Sequence, residues 1–356
     1  MGGTSHAIRV GCRPAMVWRR RGAVKHVMVA LALMGGCATT PATPPTTDPP
    51  RVRRDLTGEV LALLPAGALG WVRLDLAALR QSPHYEGVLE LAGTLGADLP
   101  LVRRELGMDV FRVGTMAALA IYAPPGRTGP GWPVAVVRGQ YTRASVLAEA
   151  RARVPQSGPA ATPEAVEQGL AYTVVGQRAY AFPTHDLMIV MERGLVRRVA
   201  GHLAGADAHS AHDDPRFADL AGRLDPGDHP VRVALDLQAV RARQPVAAVR
   251  GVPQSDQLMR VVGWGNLGEG ATIQAYGQTG TEASAAELAR LLGAESRRLG
   301  GLLPVRLLGL SRLLREGFQV GAEGDIVRLS VEASRDEARR ALRIATILDD
   351  LAESSE

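Results

Sequence analysis

Short runs of apolar residues at strand spacing, each leading into a helical pattern, recur along this chain and give it an alternating strand and helix rhythm. Val134-Ala-Val-Val-Arg138 and Thr272-Ile-Gln-Ala-Tyr276 read as strands, and each runs through a threonine (Thr142, Thr281) into a helix. Two further strand candidates and a helix follow in each case. After the first they are Ala171 to Val175, Leu187 to Glu192 and Val196 to Leu203; after the second, Phe318 to Val320, Ile326 to Val331 and Arg335 to Leu351. The last helix is the best marked: Ser334 and Glu337 have capping-box spacing, and Ala338, Ala341, Ala345, Leu348 and Ala352 share one face.

The same rhythm carries a repeat. Residues 63–80 (LLPAGALGWVRLDLAALR) align without a gap on 224–241 (LDPGDHPVRVALDLQAVR), matching Pro65 with Pro226, Val72 with Val233, Asp75 with Asp236 and Arg80 with Arg241. Each copy predicts a proline turn, a short strand and a helix start, with the aspartate where a carboxylate can accept backbone N–H bonds. Gly139-Gln140 with Thr142, Ala144 and Ser145 is echoed by Gly277-Gln278 with Thr281, Ala283 and Ser284. The expected fold is therefore α+β: two similar halves of antiparallel sheet covered by helices, at 55–205 and 206–356.

Before these halves the pattern changes twice. Arg19-Arg20-Arg21 and Lys25 precede the apolar run Val27 to Met34, then Gly35-Gly36-Cys37. A basic n-region, a short apolar h-region and small residues make a secretory signal, and the run is far short of the ~20 residues a spanning helix needs. Leu33-Met34-Gly35-Gly36-Cys37 resembles a bacterial lipobox, with Met34 where that family usually has Leu. The resemblance implies diacylglycerol attachment at Cys37, cleavage after residue 36 and an acylated protein in the bacterial cell envelope beyond the inner membrane. An ordinary secretory signal with an incidental cysteine is the alternative. Residues 37–54, rich in Pro and Thr, cannot build a core and read as an extended tether.

The leader alters the charge balance. The chain has 41 Lys+Arg against 36 Asp+Glu, but six basic residues and no acid lie in 1–36; without them 35 basic residues face 36 acidic ones. The high pI thus belongs to the leader, and nucleic acid is excluded as an expected partner. Of the two cysteines, Cys12 leaves with the leader and Cys37 becomes a thioether, so the body has no disulfide, thiolate nucleophile or thiolate metal ligand.

Candidate chemistry is sparse. Gly263-Trp-Gly265-Asn-Leu-Gly268 satisfies G-x-G-x-x-G, but Ala271 to Tyr276 follows as a strand where a dinucleotide site needs a helix, so a hairpin is expected. Asp207, His209, His212, Asp213 and Asp214 are a possible zinc set; a solvated loop ending in a cap at Asp214-Pro215 is the preferred reading. Asp75 and Asp236 form a catalytic pair only if the repeat brings them together, and capping roles are preferred. Leu303, Leu307, Leu310 and Leu314 make a stripe with Arg306, Arg312 and Arg315 around it, suited to a core-facing helix or, less readily, to a membrane surface or a partner's groove. No catalytic, metal or cofactor residues are assigned.

The body also resembles a family of secreted bacterial proteins whose halves open with a Leu-Pro-Ala-Asp-like turn before an apolar strand. Leu64-Pro65-Ala66-Gly67 carries the likeness, with Gly67 departing from it, and residues 187–237 repeat the order of strand, helix, Asp-Pro helix and strand. That resemblance implies the fold and supplies no catalytic residues. The expected function is a membrane-anchored envelope lipoprotein acting as a non-enzymatic interaction or assembly module, with the membrane and an envelope protein as partners. Two alternatives are an envelope hydrolase with its site between the halves, and a carrier of an apolar ligand.

Overall fold

The computed structural model describes residues 54–94, 106, 108–124, 131–152, 164–224, 227–243 and 255–342. Cys37, the leader, most of the tether and the last part of the C-terminal helix expected over 335–351 lie outside the described residues.

The described residues form an α+β fold around one twelve-stranded sheet. The strands are β1 (Gly70–Asp75), β2 (Gly114–Tyr122), β3 (Trp132–Gly139), β4 (Ala165–Glu167), β5 (Leu170–Val175), β6 (Arg178–Thr184), β7 (Leu187–Glu192), β8 (Val231–Asp236), β9 (Leu258–Asn266), β10 (Ala271–Thr279), β11 (Phe318–Glu323) and β12 (Ile326–Ala333). Their order is β11-β12-β10-β9-β8-β1-β2-β3-β7-β6-β5-β4, and every neighbouring pair is antiparallel. The order runs outward from the central β1–β8 pair as β1-β2-β3-β7-β6 on one wing and as β8-β9-β10-β12-β11 on the other. Strands β5 and β4 extend the first wing alone.

Local sequence explains the strand-to-helix joints. Asp75 accepts the amide of Ala78 at the head of helix Leu76–Gln81, and Asp236 accepts that of Ala239 at the head of helix Leu237–Arg241. Thr142 and Thr281 do the same for Ser145 and Ser284, opening helices Arg143–Arg151 and Glu282–Gly301. Each side-chain cap satisfies an amide that has no partner inside its helix. At 334–337 the capping box is reciprocal: the Ser334 amide donates to Glu337 Oε2 at 2.9 Å and the Glu337 amide to Ser334 Oγ.

Alternation along the strands sends side chains to two faces. In the first wing both faces are buried. Val134, Val136, Ile189 and Met191 pack under the 3-10 turn Val60–Leu63 and helix Val196–Leu203, while Val137, Met188 and Val190 pack on the opposite face with Leu76, Val146 and Leu147. Strands covered on both sides read as nearly continuous apolar runs, as Leu187-Met-Ile-Val-Met191 does. In the second wing Val320 and Val327 pack under Ala285 and Leu288 of helix Glu282–Gly301. On the other face, among the described residues, Phe217 and Leu220 lie on Ala234, Val262, Tyr276 and Ile326.

Candidate functional site

Two of the side chains singled out in the sequence, Asp214 and Asp236, come together at the junction between the wings. The turn before β1 and the loop before β8 are zipped together: Pro65 and Ser210 form an antiparallel bridge, and the Ala211 amide donates to the Leu64 carbonyl at 2.7 Å. The Tyr122 hydroxyl donates to the Pro65 carbonyl at 2.7 Å from inside the core. Asp214, only 3% exposed, accepts the Gly67 amide at 2.8 Å and is bridged at both oxygens by Arg216. The same guanidinium reaches Asp236 at 3.0 Å and the Ala68 carbonyl.

One arginine thus ties two buried carboxylates and the backbone of both segments. Burial pushes the Asp214 carboxyl up, but the Arg216 pair and the Gly67 amide outweigh it and hold the group below its ordinary value. Burial likewise pulls Arg216 down, and its two carboxylate partners more than restore it. Fully bonded, the constellation has no spare acid, base or nucleophile to offer a substrate, and its chemistry is that of a fastener.

The possible zinc set is dispersed. His209 sits 3.6 Å from Asp213, both half exposed. Asp213 takes the Ser210 amide and hydroxyl, which hold it below the usual carboxylate range against the opposing effect of burial. Asp207 faces a residue that spacing did not suggest, His202, at 3.4 Å. His202 is fully buried, with Nε2 2.9 Å from the Ala62 carbonyl; a carbonyl can only accept, so that nitrogen carries the proton. Burial pushes the His202 pKa down, against the raising effects of Ala62 and Asp207. The only cue to it in the sequence is its place on the helix Val196–Leu203. Among the described residues no three His, Cys, Asp or Glu side chains come together to hold a metal.

Asp75 and Asp236 do not meet either. The Asp75 amide bonds Pro230 and the Asp236 amide bonds Leu69, at opposite ends of the β1–β8 pairing. Six residues of strand separate them, about 20 Å. Gly263 and Gly265 lie inside β9, which turns into β10 with no helix to face a phosphate. A pocket of about 140 Å³ opens in the first wing among Leu56, Gln168, Phe182, Ala200 and Leu203. It lies away from the junction and below the ~300 Å³ at which small-molecule sites begin.

The leucine stripe is broken. Helix Leu303–Leu307 ends at Gly309, whose φ of +67° belongs to the left-handed region and stops the pattern. Leu310 beyond it is buried and Leu314 half-buried, whereas Leu303 is 65% and Leu307 78% exposed. The core-facing reading therefore holds only for the second part.

These observations define an α+β protein whose described residues form a single antiparallel sheet with an internal fastener. No helix among them is long and apolar enough to cross a membrane. No protein-family model matches the chain, and no curated protein does. It is similar to solved structures of the Treponema protein TP0453. Crystal form III has a TM-score of 0.43 at 14% identity, covering 81% of this chain and 98% of that one. Form IV has 0.43 at 15%, covering 82% and 96%, and form I has 0.41 at 12%, covering 82% and 98%.

Proposed function

We propose that this protein is a bacterial envelope lipoprotein whose body is a non-enzymatic interaction or assembly module. The observation that carries the reading is the order of the N-terminus: basic residues, the run Val27 to Met34, Gly35-Gly36-Cys37, then a Pro/Thr tether. Cys37 is the acylated residue, the membrane is the first partner, and the tether holds the body off the bilayer. Stable anchoring requires more than one acyl chain, since a single one binds only reversibly. The absorption of Asp214, Arg216 and Asp236 into a fastener supports a scaffold over a hydrolase.

The body is read as a duplicated unit. The sequence match pairs Val72 with Val233, and in the sheet the same two residues lie opposite one another, with Arg73 facing Arg232 and Trp71 facing Ala234. A twofold axis relating two copies of the strand passes through that pair, and the matching strand orders of the wings support it.

Fatty-acid labelling tests the anchor. Wild type incorporates label and partitions into detergent; Cys37→Ser does neither, remaining as a precursor or, with alternative processing, a soluble body. Unlabelled wild type that still matures and partitions into the aqueous phase would overturn the reading.

A further inference from the structure

We infer that the turn Leu302–Leu308 is a second membrane contact, which lays the second wing against an anionic lipid surface. The inference rests on the lipoprotein reading above. Six large apolar side chains are exposed among the described residues, and four of them, Leu302, Leu303, Leu307 and Leu308, fall within these seven positions. Scattered exposed leucines need no explanation, but a contiguous patch marks an interaction surface.

Its surroundings identify the partner. From Leu302 to Arg315 there is no acidic residue, and Glu316 is the first. Arg306 and Arg315 stand exposed on the same segment, and Arg340 of the helix over 335–342 reaches the Gly309 carbonyl at 3.4 Å. None of the three pairs with a carboxylate among the described residues. Arg312 is different: Glu337 takes it, and helix Glu282–Gly301 keeps its own pair between Glu295 and Arg298. Exposed leucines ringed by unpaired arginines suit a bilayer surface, with apolar side chains entering the boundary of headgroups and acyl chains while the guanidiniums hold lipid phosphates.

The tether permits this placement. Described chain begins at Arg54, held by the carbonyls of Leu203 and Asp207 in the first wing, far from the patch. The seventeen residues from Cys37 reach about 55–60 Å when extended. Eleven inter-strand spacings of the sheet amount to about 53 Å. Both contacts can therefore be made at once, with the body lying along the bilayer.

The test is a Leu307→Cys variant of the mature lipoprotein, labelled with an environment-sensitive fluorophore and reconstituted into phosphatidylglycerol vesicles; Arg328→Cys, on the open sheet face, is the control. Intact mass first establishes acylation: a body without acyl mass, taking label at Cys37 too, sinks the anchor reading independently of the patch. For the patch, emission at 307 should shift to the blue and be quenched by shallow nitroxide lipids, while the control stays open to iodide. Arg306→Ser and Arg315→Ser should each weaken patch binding to anionic vesicles about five-fold. A label at 307 that iodide quenches on vesicles to which the protein is bound overturns the inference. So does one that neither quencher reaches, because residues 343–356 or a second copy would then cover the leucines.

Discussion

The two wings of the sheet begin alike and end differently. Each opens with a strand and an Asp-capped helix, and each runs outward through the same order of five strands. In the first wing, helix Val196–Leu203 after β7 folds over the face that the Val60–Leu63 turn already covers. In the second, the helix after β12 goes to the opposite face, where Glu337 holds Arg312 beside helix Glu282–Gly301. The face it leaves open carries Gln319, Arg328, Ser330 and Glu332, and the strands there alternate strictly with Phe318, Val320, Leu329 and Val331. Strand order thus outlives the cover above it, and side-chain pattern follows the cover.

The largest effect should come from the one element that belongs to both wings. Arg216→Ala leaves Asp214 and Asp236 buried without their cation and should cost about 3–5 kcal/mol in denaturant unfolding; a loss below 1 kcal/mol would mean that the wings hold without the fastener. Next, Ile189→Ala, buried under two elements, should cost about 2–5 kcal/mol. Arg328→Ala on the open face of the other wing serves as its contrast below.

Acid should separate the wings. His202 has a lowered pKa, so its contribution in the first wing is complete above the unfolded value of 6.5 and is lost as pH falls below it. Glu337 in the second wing is lowered from 4.5 to about 2, and its contribution is lost only as pH falls through that range. Hydrogen exchange at pH 7 and pH 5 should therefore show opening near Ala62 and Val199 before any near Ser334, and His202→Asn should abolish that difference. The matched caps offer a finer comparison: Asp75→Ala should cost about 1 kcal/mol, and Asp236→Ala more, since it also loses Arg216. Arg328→Ala should change stability by no more than about 0.5 kcal/mol.

How much of this was legible in the sequence follows from range. Contacts made within a few residues were readable: the caps at Asp75, Thr142, Asp236 and Thr281, the Ser334–Glu337 box and the β9–β10 hairpin. The fastener was not, because Gly67 meets Asp214 across 147 residues and Ala68 meets Arg216 across 148. Asp214 was read as a local cap and Arg216 carried no signal. The leucine stripe failed for another reason: its spacing fits a helix, and only Gly309 interrupts it. The N-terminal address at Cys37 lies outside the described residues and rests on sequence.

Arg54 leads, through some fifteen residues, into β1, a strand bonded along both edges to β2 and β8 at the middle of the sheet. Tension applied at Arg54 would first strain its bonds to Leu203, Asp207 and Ala208, next those joining Leu64 to Ala211 and Gly67 to Asp214, and only then run lengthwise down β1. Pulled along its axis, such a strand yields only when both ladders shear together, whereas a marginal strand unzips one bond at a time. A load entering at Arg54 would thus be borne at the middle of the sheet, where the strand is bonded on both sides.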